Sequence, residues 1–335
     1  MATYRAFRIH SDHPGHHAGI EELTRPEPQE GEVLIRLSHS SVNYKDALAG
    51  TGRGKILKTF PLVGGIDGAG VVEASRDPRY RDGDAVLATG WGLSFDHDGG
   101  YGEYLCCPGD WLVPIPAGLD ARTAMILGTA GFTAALAVHR MQVNGQSPEL
   151  GPILVTGASG GVGSIAIAIL ARLGYAVSAL SGKASRSDWL RGLGASEILG
   201  RDALAHAKRP LEPARWGGAI DNVGGELLAQ ITRTLVPNGN IAAVGLAGGH
   251  ELHTTVMPFI LRGVSLLGCC SVGTPQPLRG ELWKRLAADW RPLGLDSLRT
   301  ETIGLEGLPE VFERMLSGET HGRILVQLSP EPTPG

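Results

Sequence analysis

Residues Ile153 to Arg186 constrain this chain more than any other stretch, because one run of residues spells out strand, glycine turn, helix and strand. Ile153-Leu154-Val155-Thr156 is a short apolar run of the kind that forms a buried strand. Gly157, Gly160, Gly161 and Gly163 follow, with Ser159 and Val162 among them, then an apolar helix over Ile165 to Leu173 and a second strand over Tyr175 to Leu180. In that βαβ setting the glycines let backbone approach a pyrophosphate without Cβ clashes, and the helix N-terminus offers unpaired N–H groups and partial positive charge. Ser159, Gly160, Gly161, Val162 and Gly163 are therefore the expected dinucleotide contacts, at the C-terminal ends of a doubly wound parallel sheet.

The end of the second strand selects the dinucleotide. An NAD site carries Asp or Glu about 20 residues past the glycines, to hold the ribose 2′-hydroxyl. Here the chain reads Ser181-Gly182-Lys183-Ala184-Ser185-Arg186, and the first acid, Asp188, comes after the basic cluster. A carboxylate at the strand tip repels a 2′-phosphate. Ser181, Gly182, Lys183 and Arg186 hold one, each charge-assisted hydrogen bond contributing about 1.5–3 kcal/mol. The expected cofactor is NADPH.

At 335 residues the chain has length for about two domains. Its net charge of −4 gives no support to nucleic-acid binding, which shows as a basic excess. No stretch reads as a membrane span of about 20 apolar residues, and the opening MATYRAFRIH meets charge too early for a secretory signal. The four cysteines form two adjacent pairs, Cys106-Cys107 and Cys269-Cys270, which do not make a disulfide framework. A reduced, cytoplasmic enzyme is expected.

The first 120 residues read as all-β, with strand patterns at Val33 to Leu37, Gly70 to Glu73 and Ala85 to Leu87 between Gly and Pro punctuation. Helical patterning begins near Ala121 and runs to His139. Beyond the two nucleotide strands, a helix is expected over Asp188 to Leu193, with strands at Ile198-Leu199, Gly218 to Gly224, Gly239 to Gly245 and Val264 to Gly268. Helix Leu308 to Leu316 and strand Gly322 to Leu328 return to the first domain. The expected domains are 1–125 catalytic, 126–270 nucleotide-binding and 271–328 the return, with 329–335 a disordered Pro-rich tail.

The order of motifs resembles the zinc-independent branch of the medium-chain dehydrogenase/reductase superfamily. The pieces are Val42-Asn43-Tyr44-Lys45-Asp46-Ala47-Leu48, Gly65-Ile66-Asp67, Gly128-Thr129-Ala130-Gly131-Phe132-Thr133-Ala134, the glycine turn, Ala219-Ile220-Asp221 and Pro258-Phe259-Ile260-Leu261-Arg262-Gly263-Val264. The first and last look most like the acrylyl-CoA reductase and quinone oxidoreductase group, over about residues 1–328. The resemblance implies an α/β chain with a GroES-like β-barrel catalytic domain, split in sequence, around a Rossmann domain. It also implies NADPH-dependent reduction of an α,β-unsaturated thioester such as acryloyl-CoA, and a homodimer, through the apolar strand Val264 to Gly268.

The segment Asn43-Tyr44 stands where zinc relatives carry a cysteine, so no metal is expected. His10, His13, His16 and His17 cluster on a Pro/Gly-containing loop without supporting acids and read as solvated. For the reduction, Tyr44 is the expected proton donor or carbonyl polariser, since a phenol with a reference pKa of about 10 stays protonated at neutral pH; the alternative is that it packs on the nicotinamide. Asn43 is expected to orient the cofactor amide or the substrate, Asp46 to fix the turn, and Asp67 to act catalytically or to brace the barrel. The resemblance adds Thr129, Thr133, Arg201, Asn222, Leu246, Ile260, Ser271 and Arg323 as cofactor contacts.

The basic loop with Arg53, Lys55 and Lys58 could steer an acyl-CoA. Gly64, Gly68 and Asp98 depart from the family pattern, which has Pro, Leu and an aromatic there, and are expected to enlarge or loosen the pocket rim. Two other readings remain open: reduction of quinones or other enones by the same hydride geometry, and a non-catalytic NADPH-binding or RNA-binding role, which the net charge opposes.

Overall fold

Strands alternate with helices after residue 150, and in the computed structural model, which describes residues 2–12, 15–204 and 209–329, they form a six-stranded sheet that is parallel throughout. Across the sheet the order is Glu197–Leu199, Val177–Leu180, Ile153–Thr156, Trp216–Asp221, Leu235–Ala243 and Ser265–Gly268, which is 3-2-1-4-5-6 counted along the chain. The order reverses between Ile153–Thr156 and Trp216–Asp221, the crevice where doubly wound sheets bind ligands. Helix Gly161–Arg172 follows the glycine turn and buries Ile165, Ile167, Ile169 and Leu170. Two helices beyond those expected from the sequence, Gly225–Thr234 and Met257–Arg262, supply the crossovers from Trp216–Asp221 to Leu235–Ala243 and from there to Ser265–Gly268. The first is obscured by Gly224 and Gly225 at its start, both at positive φ (72° and 58°). Residues 130–271 and 288–294 make up this unit.

The other unit comprises residues 1–129, 272–287 and 295–335. Its long strand Glu32–Val42 pairs with Asp67–Ser75, Tyr104–Pro108 and Arg323–Gln327, all antiparallel. Val33, Ile35, Leu37, Val72, Val86 and Leu105 fill one core of this barrel. A second core holds Phe7, Ile9, Val42, Ala47, Tyr101, Phe312 and Ile324. The C-terminal segment is thus part of the first unit: helix Leu308–Leu316 sends the Phe312 ring to where a Cβ at Gly50 would sit. Burying that ring contributes about 1.5–3 kcal/mol.

Three expectations change. The first 120 residues are not all β, because Tyr44–Gly50 is a helix. Asn43, extended at φ −121° and ψ 159°, is its N-cap, and the Asp46 carboxylate reaches back to the Asn43 N–H at 2.9 Å. That is a capping arrangement, and Ala47, Leu48 and Ala49 are good helix formers. Secondly, helix Ala121–Val143 is long and apolar enough to cross a membrane, contrary to the reading of the sequence, but most of it is buried in protein and Gly128 breaks it at φ 52°, so it is a core helix. Thirdly, Ser329 is held by its hydroxyl on the Leu37 carbonyl at 2.8 Å, so it does not belong to a disordered tail; residues 330–335 lie outside the described residues.

Candidate active site

Helix Tyr44–Gly50 is short, and a helix of two turns depends on what holds its ends. Behind it lies a buried polar cluster drawn from five separate segments. Asp46 binds the first turn through Asn43 N–H and ties it to the Gly65-Ile66 turn by accepting from Ile66 N–H at 3.0 Å. The Asn43 side-chain amide donates to Asp67 at 2.8 Å and to Asp46 at 3.2 Å, and its Oδ1 accepts from Arg323 at 3.2 Å. Asp67, fully buried, also accepts from Ser41 Oγ at 2.5 Å, from the Thr129 N–H at 3.0 Å and from the Thr129 hydroxyl at 2.6 Å. Arg323 donates to the carbonyls of Ile126 and Val42 and to Ser41 Oγ, and its Nη2 stands 3.8 Å from Asp67.

Two carboxylates and one guanidinium share this dry volume. Burial, reinforced by the charge of Asp67, pushes the Asp46 carboxyl up to about 7. Burial also raises the Tyr101 phenol, with Asp46 and Asp67 adding to the effect, and lowers Arg323, against which the two acids support its charge. At Gly128 the chain must adopt φ 52°, and a Cβ there would lie 2.6 Å from Asp67 Oδ2 and 2.7 Å from Ser41 Oγ, so the helix break makes room for the cluster.

What this framework presents outward is Tyr44, whose side chain is 47% exposed at the first position of the helix. The expectations for its neighbours need correction. Asn43 has every polar atom of its amide engaged inside the protein, so it is not available to orient a cofactor amide or a substrate. Arg323 spends its donors on buried protein oxygens, which removes it from the cofactor contacts. Asp67 is a brace, because its oxygens are already saturated by donors and sealed from solvent. Both donors of Thr129 are directed at Asp67. Ser41, Tyr101 and Gly128 are members of the cluster that the sequence does not single out; the signal for the first is the polar run Ser38-His39-Ser40-Ser41, all buried, at the end of strand Glu32–Val42.

The glycine turn is built differently. Gly157 sits at φ 56°, and a Cβ at Gly163 would meet the Gly157 carbonyl at 2.4 Å, so backbone packs on backbone. Thr156, Asp221 and Asn222 fasten the turn to the next strand: Thr156 Oγ1 donates to Asp221 at 2.6 Å and accepts from Asn222 N–H at 2.9 Å, while the Asn222 amide donates to the Thr156 carbonyl at 2.8 Å. Asn222 Oδ1 is buried with no partner among the described residues, an acceptor left for a ligand donor.

At the second strand's tip Ser181 Oγ meets Ser159 Oγ at 3.3 Å and accepts from Lys183 N–H at 3.1 Å. Partial burial lowers Lys183, with the charges of Arg186 and Arg201 adding to it. The Arg201 guanidinium lies against Gly182, where any side chain would collide with it. The nearest acid along the chain, Asp188, is ion-paired with Arg191. Three cations thus converge where a 2′-phosphate would need them, and the residues fit a phosphorylated dinucleotide. Thr133 is buried in its helix, Leu246 and Ile260 are exposed, and Ser271 is half-buried.

In the barrel unit, Arg53 is paired with Glu313 at 2.6 Å, which takes up its charge, while Lys55 and Lys58 are exposed. The expected loosening of the rim does not occur. Gly64 and Gly68 are buried, and Cβ atoms there would press on Ile9 and Tyr101 or on Leu37 at 3.1–3.2 Å, so larger neighbours fill the space. Asp98 accepts from Val63 N–H at 2.8 Å and secures the backbone.

Comparison with known proteins agrees with this layout. The model for "Alcohol dehydrogenase GroES-like domain" matches residues 29–117, and that for "Zinc-binding dehydrogenase" matches residues 161–288. The chain is 49% identical over 312 residues, 93% of its length and 96% of the relative's, to "Probable acrylyl-CoA reductase AcuI" of Escherichia coli. It is 46% identical over 302 residues, 90% and 91% of the two chains, to "Putative quinone oxidoreductase YhfP" of Bacillus subtilis. Among solved structures it resembles the yhdH oxidoreductase of Salmonella enterica in complex with NADP, at 46% identity and TM-score 0.93, covering 97% of this chain and 100% of that one. It likewise resembles Bacillus subtilis yhfP with NAD bound, at 42% identity and TM-score 0.94, covering 98% and 100%.

One of those domain models carries zinc in its description, and the donors present here do not fit that ion. Among the described residues no three His, Cys, Asp or Glu side chains come together as a ligand set. A zinc-bound cysteine must be a thiolate. The Cys106 thiol donates to Glu32 at 3.6 Å and the Cys269 thiol to the Leu267 carbonyl at 3.8 Å, so both are engaged within the protein. His10 is engaged with Glu21 at 2.6 Å and stacks on His17, and His16 is bonded to the Gly50 carbonyl, while His13 lies outside the described residues.

Proposed function

The chain belongs to the medium-chain dehydrogenase/reductase family, in the group of the acrylyl-CoA reductases and YhfP, and from that membership and the geometry above we propose that it reduces the C=C bond of an α,β-unsaturated acyl-CoA with NADPH. The observation that carries the reading is an exposed phenol, Tyr44, mounted on a helix whose first turn is locked from behind by a saturated buried network. NADPH, when bound, supplies the hydride that adds to the β-carbon of the conjugated thioester.

Tyr44 then serves as the proton source for the α-carbon, or as hydrogen-bond donor to the thioester oxygen while enolate charge develops there. Asn43, Asp46, Asp67 and Arg323 are positioning residues: they touch neither reactant and fix where the phenol stands. Preorganisation of this kind matters because the donor must not reorient as charge appears. Ser181, Lys183, Arg186 and Arg201 hold the 2′-phosphate, and the N–H groups at the start of helix Gly161–Arg172 receive the pyrophosphate. The relative solved with NAD makes the cofactor a point for direct test: titration with both dinucleotides, in which equal affinity for NADH and NADPH removes the role given to the basic cluster.

The second reading, reduction of quinones or free enones, is favoured by the 46% identity to a protein named for that activity. The discriminating assay follows NADPH oxidation with acryloyl-CoA, crotonyl-CoA, free acrylate and 1,4-benzoquinone. Preference for the acyl-CoA substrates supports the proposal, and turnover of benzoquinone alone replaces it with the second reading. A homodimer working in the cytoplasm belongs to the same proposal, and light scattering of the purified protein checks the dimer.

A further inference from the structure

We propose that Lys45, Phe95 and Lys58 form the subsite for the adenosine 3′-phosphate and diphosphate end of the acyl-CoA. The inference rests on the acyl-thioester reading above and goes further by assigning where the nucleotide end is held.

It starts from a strained loop. Between the strand Ala85–Thr89 and Gly99, Trp91 and Ser94 adopt φ 52° and 53°, a region that large L-residues avoid. Such strain persists only where surrounding contacts over-determine it. Here they do. The Trp91 ring stacks parallel to Trp111 and carries the Arg279 guanidinium 4.6 Å from its centroid. Ser94 N–H donates to the His97 carbonyl at 2.9 Å, and the N–H groups of Phe95 and His97 both donate to the Gly92 carbonyl at 3.1 Å.

The consequence is that Phe95, a residue that ordinarily buries itself, is pushed outward and is 39% exposed. Two other segments meet it. Lys45, the residue after Tyr44, places its ammonium 5.5 Å from the Phe95 ring centroid. The backbone N–H of Lys58 donates to the Phe95 carbonyl at 2.6 Å. Three stretches of the chain therefore converge on Phe95, with the Lys45 ammonium over one face of its ring and Lys58 held at its backbone carbonyl.

That combination suits a purine carrying phosphates. An aromatic face stacks on the base, and lysines neutralise phosphate as point charges. Among the described residues, Lys45, Lys55 and Lys58 form no ion pair, whereas Arg53 of the same loop is taken by Glu313. Of the acids nearby, Asp98 is committed to Val63 N–H, and Asp96 is exposed beside the loop. Lys45, Lys55 and Lys58 against Asp96 and Asp98 leave a formal balance of +1 for these residues.

The test compares two substrates with the same reacting group, acryloyl-CoA and the acryloyl thioester of N-acetylcysteamine, which lacks the nucleotide. In Phe95→Ala, and in the double variant Lys45→Ala with Lys58→Ala, the ratio of kcat/KM for the first substrate over the second should fall about tenfold or more, carried by KM, as expected for loss of one charge-assisted or stacking contact. Melting temperatures check that each variant is folded. An unchanged ratio, or equal losses with both substrates, overturns the subsite.

A binding measurement separates this from failure of the reductase reading. Adenosine 3′,5′-bisphosphate is titrated against the protein saturated with NADPH. Binding that the double variant loses supports the subsite even if no thioester is reduced. No binding to the wild-type protein overturns the subsite even if acryloyl thioesters are good substrates.

Discussion

The polar cluster behind Tyr44 and the glycine turn after Ile153 both prepare a surface for a ligand, and they do it with opposite materials. The turn is made of backbone: its glycines bring carbonyls and N–H groups within contact, and side chains enter only to tie Thr156, Asp221 and Asn222 together. The cluster is made of side chains, with two buried carboxylates, one buried guanidinium, an amide and two hydroxyls closing on one another. A backbone device needs only one short segment with the right glycine spacing. A side-chain device needs several segments brought together by the fold, and it stakes more on each member, since a buried charge that loses its partner is left uncompensated.

The sharpest break of that comparison is Arg323→Met. Removing the buried guanidinium that faces Asp67 and Asp46 should cost about 3–5 kcal/mol of stability, as breaking a buried ion pair does. Urea unfolding measures it; a loss below about 1 kcal/mol, the range of an exposed pair, would mean the cluster is not electrostatically closed.

Next in size is Tyr44→Phe, which leaves the cluster intact and removes only the hydroxyl it presents. Turnover should fall about 10²-fold or more, the usual contribution of a positioned acid, with NADPH affinity held. Unchanged steady-state turnover would take Tyr44 out of the chemistry.

On the other side of the comparison, Lys183→Ala removes one side chain from the second strand's tip. It should weaken NADPH by about tenfold and leave NADH unaffected, because one charge-assisted bond of about 1.5–3 kcal/mol is lost. Equal weakening of both dinucleotides would show that Lys183 serves the turn rather than the 2′-phosphate.

The last effect is a slope against pH rather than a single loss. Asp46 is raised from 3.8 to about 7 in the folded protein. The folded state then binds this proton more tightly than the unfolded chain does, so stability is greatest below the unfolded value and declines as pH rises toward about 7, above which the loss is complete. Asp46→Asn abolishes the titration and should flatten melting temperature against pH between about 4 and about 8. Parallel profiles for the two proteins would assign the slope to another group.

Much of this was legible beforehand. The six-stranded sheet, the glycine turn between its first strand and helix, and helix Leu308–Leu316 all follow from contiguous residues. Tyr44 stands out in the sequence, but the residues that support it do not. Asn43 and Arg323 looked like ligand contacts because a polar residue in a motif carries no mark of which way it faces. Gly64 and Gly68 suggested vacant space, which Tyr101 and Leu37 occupy. Helix Tyr44–Gly50 was hidden inside a strand-rich region because only its N-cap and one acid announce it.

The residue order alone determined the parallel sheet and the basic strand tip, because glycine spacing and apolar runs act through neighbours along the chain. Tertiary structure decided which acids are braces, why Gly128 must break a helix and how Phe95 meets Lys45 and Lys58. Those outcomes depend on burial and on distances between segments far apart in the chain, and a polar side chain's role is set by the groups the fold places around it.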